Sequence, residues 1–121
     1  METKEEITGR VYLSGKMRGL TQRQYRAHFQ KATNELIIKH HVHPSQIINP
    51  CYIARAVPCF EDDEYLELDF KILKRCHAIY MLNNWQDSEG ARAEKEKAEE
   101  LGLKIYYEPE EELKLKWKKK K

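Results

Sequence analysis

The chain lacks the features that mark several large classes of protein. It contains three cysteines among 121 residues, none in Cys-x-x-Cys spacing, which argues against a disulfide framework and a zinc site. No apolar run approaches the roughly 18 residues of a membrane span, and the N-terminus has no apolar signal segment. Twenty-two basic and twenty acidic residues leave a net charge of +2. We therefore expect a cytoplasmic protein that binds neither a membrane nor a nucleic acid polymer.

Length indicates one folded domain. A chain of 121 residues is long enough for a single core and too short for two. We expect the domain to span residues 10–107, after a polar extension over 1–9. Residues 108–121 are interpreted as a solvated, charged tail, in which acidic residues precede lysines and Leu113, Leu115 and Trp117 are interleaved. A partner-docking role for this tail is the alternative.

Short apolar runs alternate with amphipathic stretches along the chain. They predict strands over 10–15, 46–49, 77–82 and 103–107, and helices over 21–41, 62–76 and 88–102. Pro50 ends the second strand because proline has no amide proton for a sheet, and 51–61 is predicted as a loop. Such alternation is typical of parallel sheets with right-handed crossovers. The predicted fold class is α/β, a doubly wound, flavodoxin/Rossmann-like parallel sheet of four to five strands with helices on both faces.

Two carboxylates occupy helix positions where apolar residues are expected. At about 100° per residue, Glu94 falls at the centre of a narrow arc formed by Ala91, Ala98 and Leu101. Asp69 falls inside the apolar stripe of the preceding helix. An isolated charge on a core face is costly, so such a group is paired, protonated or lining a cavity. A cavity suggests catalysis, whereas a carboxylate bonded at the edge of the core is the alternative.

Two loops follow strands and open on the same edge of the predicted sheet, where ligands collect in open α/β folds. The first loop, SGKMRG over 14–19, offers a glycine pair with Lys16 and Arg18 as anion partners. The second leads to a helix N-terminus, where the Ser88 hydroxyl and amides such as that of Gly90 favour negative charge. A phosphate suits this rim. The first loop matches neither a Walker loop nor the Gly-x-Gly-x-x-Gly motif of dinucleotide-binding proteins. A turn with two solvated cations is therefore the alternative interpretation.

Other arrangements that could carry chemistry are set aside. His40, His41 and His43 are close in sequence, but adjacent histidines at a helix end point in different directions, and acids or cysteines are missing nearby. Ser14 and Ser88 lack the Gly-x-Ser-x-Gly elbow of a hydrolase triad. We expect neither a metal nor a cofactor.

Taken together, these segments resemble the nucleoside 2-deoxyribosyltransferase superfamily. The likeness is strongest to its short, phage-associated members, the DUF4406-like domains of unknown function, and runs from about residue 10 to residue 107. The segments that carry it are VYLSGKMRG (11–19), INP (48–50), Asp69 with Ile72 and Leu73, SEGARAE (88–94) and A-x-x-LG (98–102).

The resemblance implies roles for individual residues. It makes Glu94 the nucleophile, with Asp69 and Tyr12 as the other catalytic residues. Members that hydrolyse nucleoside 5′-monophosphates bind phosphate through the first loop and the serine of the glutamate motif. Together with the rim, the expected substrate-binding set is Ser14, Gly15, Lys16, Arg18, Gly19, Ser88 and Gly90. Superfamily members commonly pair to complete the pocket, so we expect a homo-oligomer, with the Trp85 loop and the Asp69 helix as contacts.

We therefore expect cleavage or transfer at the N-glycosidic bond of a (deoxy)nucleoside 5′-monophosphate or nucleoside. Glu94 would stabilise or capture positive charge at C1′. Asp69 would protonate the departing base, or else hold the base or a sugar hydroxyl. Tyr12 would orient Glu94, and an ordinary half-buried strand tyrosine is the alternative interpretation. A non-catalytic nucleotide-binding module is the second functional hypothesis, and a structural assembly protein is the third.

Overall fold

Four parallel strands form one sheet in the part of the chain that the computed structural model describes, residues 6–110. The strands are β1 (Val11–Ser14), β2 (Ile47–Ile48), β3 (Ala78–Met81) and β4 (Lys104–Tyr107), in the spatial order β2-β1-β3-β4. The order reverses direction at β1, since β2 lies on one side of it and β3 on the other. The carboxyl ends of β1 and β3 therefore mark the point where ligands bind in folds of this kind.

Helices cover both faces of the sheet. They are α1 (Gln22–Lys39), α2 (Pro50–Ala56), α3 (Asp62–Leu73) and α4 (Glu89–Leu101). Successive residues of β1 point to opposite faces, so Val11 and Leu13 pack with Phe29 and Leu36 of α1. Tyr12 lies in the second core cluster, with residues of α3 and α4. The predicted doubly wound α/β fold with a parallel sheet is confirmed.

The loop predicted over 51–61 is wrong in its first half, where α2 spans Pro50–Ala56. Asn49 caps this helix, because its side-chain oxygen accepts a hydrogen bond from the Cys51 amide at 2.9 Å. Pro50 ends the strand and also begins the helix, since its missing amide proton and fixed φ suit the first helical position. The sequence interpretation used only the first of these properties. Residues 57–61 are the loop.

Residues at both ends of the described chain contribute to the interior. Ile7 is 3% exposed and packs in the cluster beneath α1. Glu108 is 4% exposed, and its backbone amide donates to the Met81 carbonyl at 2.8 Å. The expected bounds of 10–107 stay a prediction. The charged tail beyond residue 110 lies outside the described residues. Within residues 6–110, no helix is long and apolar enough to cross a membrane.

Candidate functional site

Helix α4 carries Glu94 over the carboxyl half of β1. Ser88 begins the helix as its N-cap, and Gly102 ends it with φ +75°, a left-handed conformation that favours glycine. This placement turns Ala91 and Ala98 towards the sheet, and Glu94 lies between them at 6% exposure. The buried carboxyl that the apolar arc predicts is therefore present.

Both oxygens of the Glu94 carboxyl accept a hydrogen bond from β1. The Tyr12 hydroxyl donates to Oε2 at 2.8 Å, and the Ser14 hydroxyl donates to Oε1 at 2.6 Å. Tyr12 and Ser14 are two positions apart on one strand, so their side chains share a face of the sheet. All three residues are buried. Because water is excluded, the two bonds hold Glu94 firmly in one orientation.

Asp69 of α3 meets the same carboxyl. It is close enough to interact electrostatically with Glu94 and Tyr12, and it is partly exposed. Burial raises the pKa of Asp69, and burial together with the Asp69 charge raises the pKa of Glu94 well above its ordinary value. The hydroxyls of Ser14 and Tyr12 oppose this shift by stabilising ionised Glu94. Two neighbouring carboxyls that interact in this way titrate as a pair, and their raised pKa values favour one shared proton.

Tyr12 acts as a permanent hydrogen-bond donor in this group. Burial raises the pKa of its hydroxyl, and the negative charges of Glu94 and Asp69 raise it further. The residue is fully buried and bonded to Glu94, unlike the half-buried strand tyrosine of the alternative interpretation. The structure thus brings together the three predicted catalytic residues. What their contacts do for a reaction stays a prediction.

Close packing and a hydrogen bond to Asn84 hold the start of the loop after β1. A Cβ atom at Gly15 would lie 2.8 Å from the Leu82 side chain, so glycine is required for the close approach. Gly19 has φ +87°, which favours glycine for a different reason. The Lys16 amide donates to Asn84 Oδ1 at 3.1 Å. This loop is therefore joined to the one that follows β3.

The remaining rim residues lie at the same edge of the sheet. Arg18 forms an exposed ion pair with Asp62 at the start of α3. Ser88 accepts a hydrogen bond from the Ala91 amide at 3.1 Å, and its own hydroxyl proton stays available to a ligand. Gly90 is exposed in the first turn of α4.

The sequence interpretation missed the contact between Ser14 and Glu94. Ser14 is predicted as a substrate-binding residue, but its hydroxyl is fully buried and donates to the Glu94 carboxyl. The period of two along a strand was the available signal, because Ser14 must face the same way as Tyr12.

No group of three or more His, Cys, Asp or Glu side chains within residues 6–110 is arranged to hold a metal ion. Surface cavities of about 460 and 180 Å³ lie along α1 and between α1 and α2. Glu94 lines neither cavity.

The fold and the site define a doubly wound α/β protein with two neighbouring carboxyls, Glu94 and Asp69, at the switch point of its sheet. The family described as Domain of unknown function (DUF4406) matches residues 9–107, so the chain belongs to this family. The predicted likeness to that domain is thereby confirmed. No curated protein and no solved structure matches the chain.

Proposed function

We propose that the protein cleaves or transfers the N-glycosidic bond of a nucleoside 5′-monophosphate or nucleoside, as a member of the nucleoside 2-deoxyribosyltransferase superfamily. One observation carries the proposal. The buried Glu94 carboxyl is held by two hydroxyl donors and lies close enough to the Asp69 carboxyl for its pKa to be raised by that charge, at the edge of the sheet where ligands bind in such folds. Paired carboxyls with raised pKa values are characteristic of glycosidic bond chemistry.

In the first half of the proposed reaction, the proton that the two carboxyls share moves to Asp69 when the substrate binds, and the resulting Glu94 carboxylate attacks C1′ of the sugar. The C1′–N bond breaks, and its electron pair leaves with the base. Protonated Asp69 gives its proton to that nitrogen, so a neutral base departs and a glycosyl ester remains on Glu94. Tyr12 and Ser14 keep the carboxylate aimed throughout, because both donate to it from a rigid strand.

In the second half, a water or another base attacks C1′ of the ester. The Asp69 carboxylate takes the proton of the attacking group, and the C1′–O bond to Glu94 breaks. Water gives the free sugar and therefore hydrolysis, whereas a second base gives transfer. Glu94 is then ionised and Asp69 protonated, as at the start.

The phosphate of a nucleotide would lie between the loop after β1 and the start of α4. Arg18 would exchange Asp62 for the phosphate, because an exposed ion pair contributes at most about 1 kcal/mol. The Ser88 hydroxyl and the first amides of α4 donate to phosphate oxygens, as helix N-termini do. Lys16 adds a second positive charge.

Incubation with a panel of ribo- and deoxyribonucleoside 5′-monophosphates and nucleosides, followed by chromatography, tests the proposal. We expect release of free base by the wild type and a loss of at least about 100-fold in Glu94→Gln, which removes the nucleophile and keeps the shape. Nucleotide binding by the variant, measured by calorimetry, should survive.

Glu96→Gln is the matched control, because Glu96 is exposed on the same helix. This variant should release base at the wild-type rate. The proposal is wrong if no panel member yields base with the wild type, or if Glu94→Gln and Glu96→Gln are equally active.

A non-catalytic nucleotide-binding module is the second candidate, and the burial of Glu94 favours it. The carboxyl is 6% exposed and both oxygens already accept hydrogen bonds, as in a satisfied core carboxyl. Such a module would show a nucleotide-induced rise in Tm without base release. A structural assembly protein would show neither.

The expected homo-oligomer also stays a proposal, which sedimentation equilibrium tests. The Trp85 ring lies 6.1 Å from the Tyr107 ring and under the Lys95 ammonium group. The aromatic loop is therefore engaged within the chain, and a subunit contact there would use its outer surface.

A further inference from the structure

A second buried carboxyl connects the end of β4 to α1, on the face of the sheet opposite Glu94. The Glu108 side chain is fully buried. Its Oε1 accepts a hydrogen bond from the Asn83 amide at 2.8 Å and lies 2.7 Å from His28 Nε2. Its Oε2 has no hydrogen-bond partner among the described residues, and Lys31 Nζ is 4.0 Å away. The proposed reaction uses none of these groups.

The hydrogen bonds that run from the Lys16 amide to Glu108 all have the same direction. The Lys16 amide can only donate, so the Asn84 atom that faces it is the oxygen Oδ1. Asn84 Nδ2 then faces His28 Nδ1 at 3.3 Å and donates to it. A neutral histidine that accepts at Nδ1 carries its proton at Nε2, and that proton is donated to Glu108.

We propose that Glu108 and His28 are positioning residues, which hold the loop after β1 in place through Asn84. We call this chain of contacts the relay: Glu108, the His28 ring, the Asn84 amide and the Lys16 backbone. It joins the core on one face of the sheet to the loop that would bind phosphate. Only the effect of the relay on ligand binding rests on the proposed function.

An ionised carboxylate anchors the relay. Burial raises the pKa of Glu108, but the hydrogen bonds from His28 and Asn83 outweigh burial and lower the pKa overall. The charge of His28, whenever the ring is protonated, and the charge of Lys31 lower the pKa further. An ionised carboxylate only accepts hydrogen bonds, so it fixes the His28 proton on Nε2. His28 Nδ1 is left as the acceptor that orients Asn84.

The tautomer of His28 is the first test, because a merely structural role would not require it. Nitrogen-15 NMR of the wild type at neutral pH distinguishes a bare ring nitrogen from a protonated one. We expect a bare Nδ1 and a protonated Nε2. A proton on Nδ1 would overturn the proposal, since that nitrogen could not accept from Asn84.

Amide hydrogen exchange at Lys16 is the second test. We expect exchange to be about fivefold faster in both Asn84→Ala and His28→Phe, the factor that corresponds to one hydrogen bond of about 1 kcal/mol. Exchange at Leu82, whose amide donates to the Ser14 carbonyl at 2.8 Å, is the internal reference for general loss of stability. The ratio of the Lys16 rate to the Leu82 rate should therefore rise.

Asn34→Ala is the matched control on α1. It removes an exposed hydrogen bond from Gln30 at 3.1 Å that lies outside the relay. The exchange ratio should be unchanged in this variant. Equal ratios in Asn34→Ala, Asn84→Ala and His28→Phe would overturn the proposal.

A kinetic measurement links the relay to the proposed function. With a nucleoside 5′-monophosphate that is cleaved, His28→Phe should raise KM about tenfold and leave kcat within about twofold, because the relay holds the loop and does not touch Glu94. An unchanged KM would overturn the role in binding. If no nucleotide is cleaved, the proposed function fails, while the tautomer and the exchange ratio still decide the relay.

Discussion

Glu94 is held where its charge is disfavoured. Its neighbours on the inner side of α4 are Ala91 and Ala98, and a carboxyl in such surroundings is hard to ionise. The hydroxyls of Tyr12 and Ser14 reduce this effect without cancelling it, because the pKa of Glu94 is still raised. A catalytic carboxyl with these properties lowers the stability of its own fold, as active-site groups often do.

We expect Glu94→Gln to be increasingly more stable than the wild type as pH rises. The pKa of Glu94 is higher in the folded than in the unfolded chain, so its stabilising contribution is complete below the unfolded pKa. This contribution is lost as pH rises through the folded pKa, at about 1.4 kcal/mol per pH unit. Glutamine keeps the shape and does not ionise. Urea unfolding between about pH 5 and about pH 8 measures the difference.

Glu96→Gln provides the comparison, since Glu96 is exposed on the same helix. The free energy gained by Glu94→Gln over the wild type should rise more steeply with pH than the free energy gained by Glu96→Gln. Equal slopes for the two variants would show that folding does not raise the pKa of Glu94. Any pH dependence that remains in Glu94→Gln comes in part from Asp69, whose pKa is also raised.

Single residues differ in how far the sequence predicts them. Glu94 and Asp69 could be singled out because the period of a helix reveals a charge within an apolar arc. Glu108 could not, because it stands at the start of a charged run and its burial depends on His28, 80 positions away. A pattern within one helix is readable locally, whereas a contact between distant elements is not.

At the level of secondary structure elements, the approach of β1 to the end of β3 depends on Gly15. We expect Gly15→Ala to destabilise the fold by about 1–3 kcal/mol, because the new methyl group would lie 2.8 Å from the Leu82 side chain. Denaturant unfolding measures this loss. The loop after β1 would also be displaced, so the Lys16 amide signal should shift in NMR spectra.

The steric cause is tested by a double-mutant cycle with Leu82→Ala. Leu82→Ala alone leaves a cavity and destabilises, but it removes the Cδ2 and Cγ atoms that an added Cβ at Gly15 would meet at 2.8 and 3.2 Å, so Gly15→Ala should cost less in that background than in the wild type. An undiminished effect would show that the requirement for glycine comes from the retained Leu82 Cβ atom, also 2.8 Å away, or from backbone conformation, and not from the end of the Leu82 side chain. Gly102, where an added Cβ meets nothing within 4 Å and φ is +75°, is an example of a glycine that backbone conformation alone favours.

Elements with a strong period were predicted to within a few residues, and α2 was not predicted at all. Helix α1 has a clear inner face of Phe29, Ala32 and Leu36. Helix α2 has seven residues, too few to establish a period, and its buried members are Pro50 and Cys51. Only the Asn49 cap followed by proline indicates it, and the same pair of residues also ends a strand.

For the molecule as a whole, the sheet separates two polar groups. Tyr12, Ser14, Asp69 and Glu94 lie between the sheet and the α3–α4 layer, and the relay lies between the sheet and α1. Both polar groups are connected to the loop after β1. The loop continues from Ser14, which bonds to Glu94, and its Lys16 amide donates to Asn84 of the relay. The strand order alone predicts a site at this edge, whereas the contacts that reach the edge from both faces depend on how distant elements pack.

Because of this separation, we expect Tyr12→Phe and His28→Phe to act independently on stability. Each removes a buried hydrogen bond and should cost about 1–3 kcal/mol. In the double variant the two losses should add to within about 0.5 kcal/mol, as they do for sites that share no partners. Denaturant unfolding of the four proteins gives the coupling directly. A coupling above about 1 kcal/mol would mean that the two faces respond to each other through β1, and that the sheet does not insulate the Glu94 site from the relay.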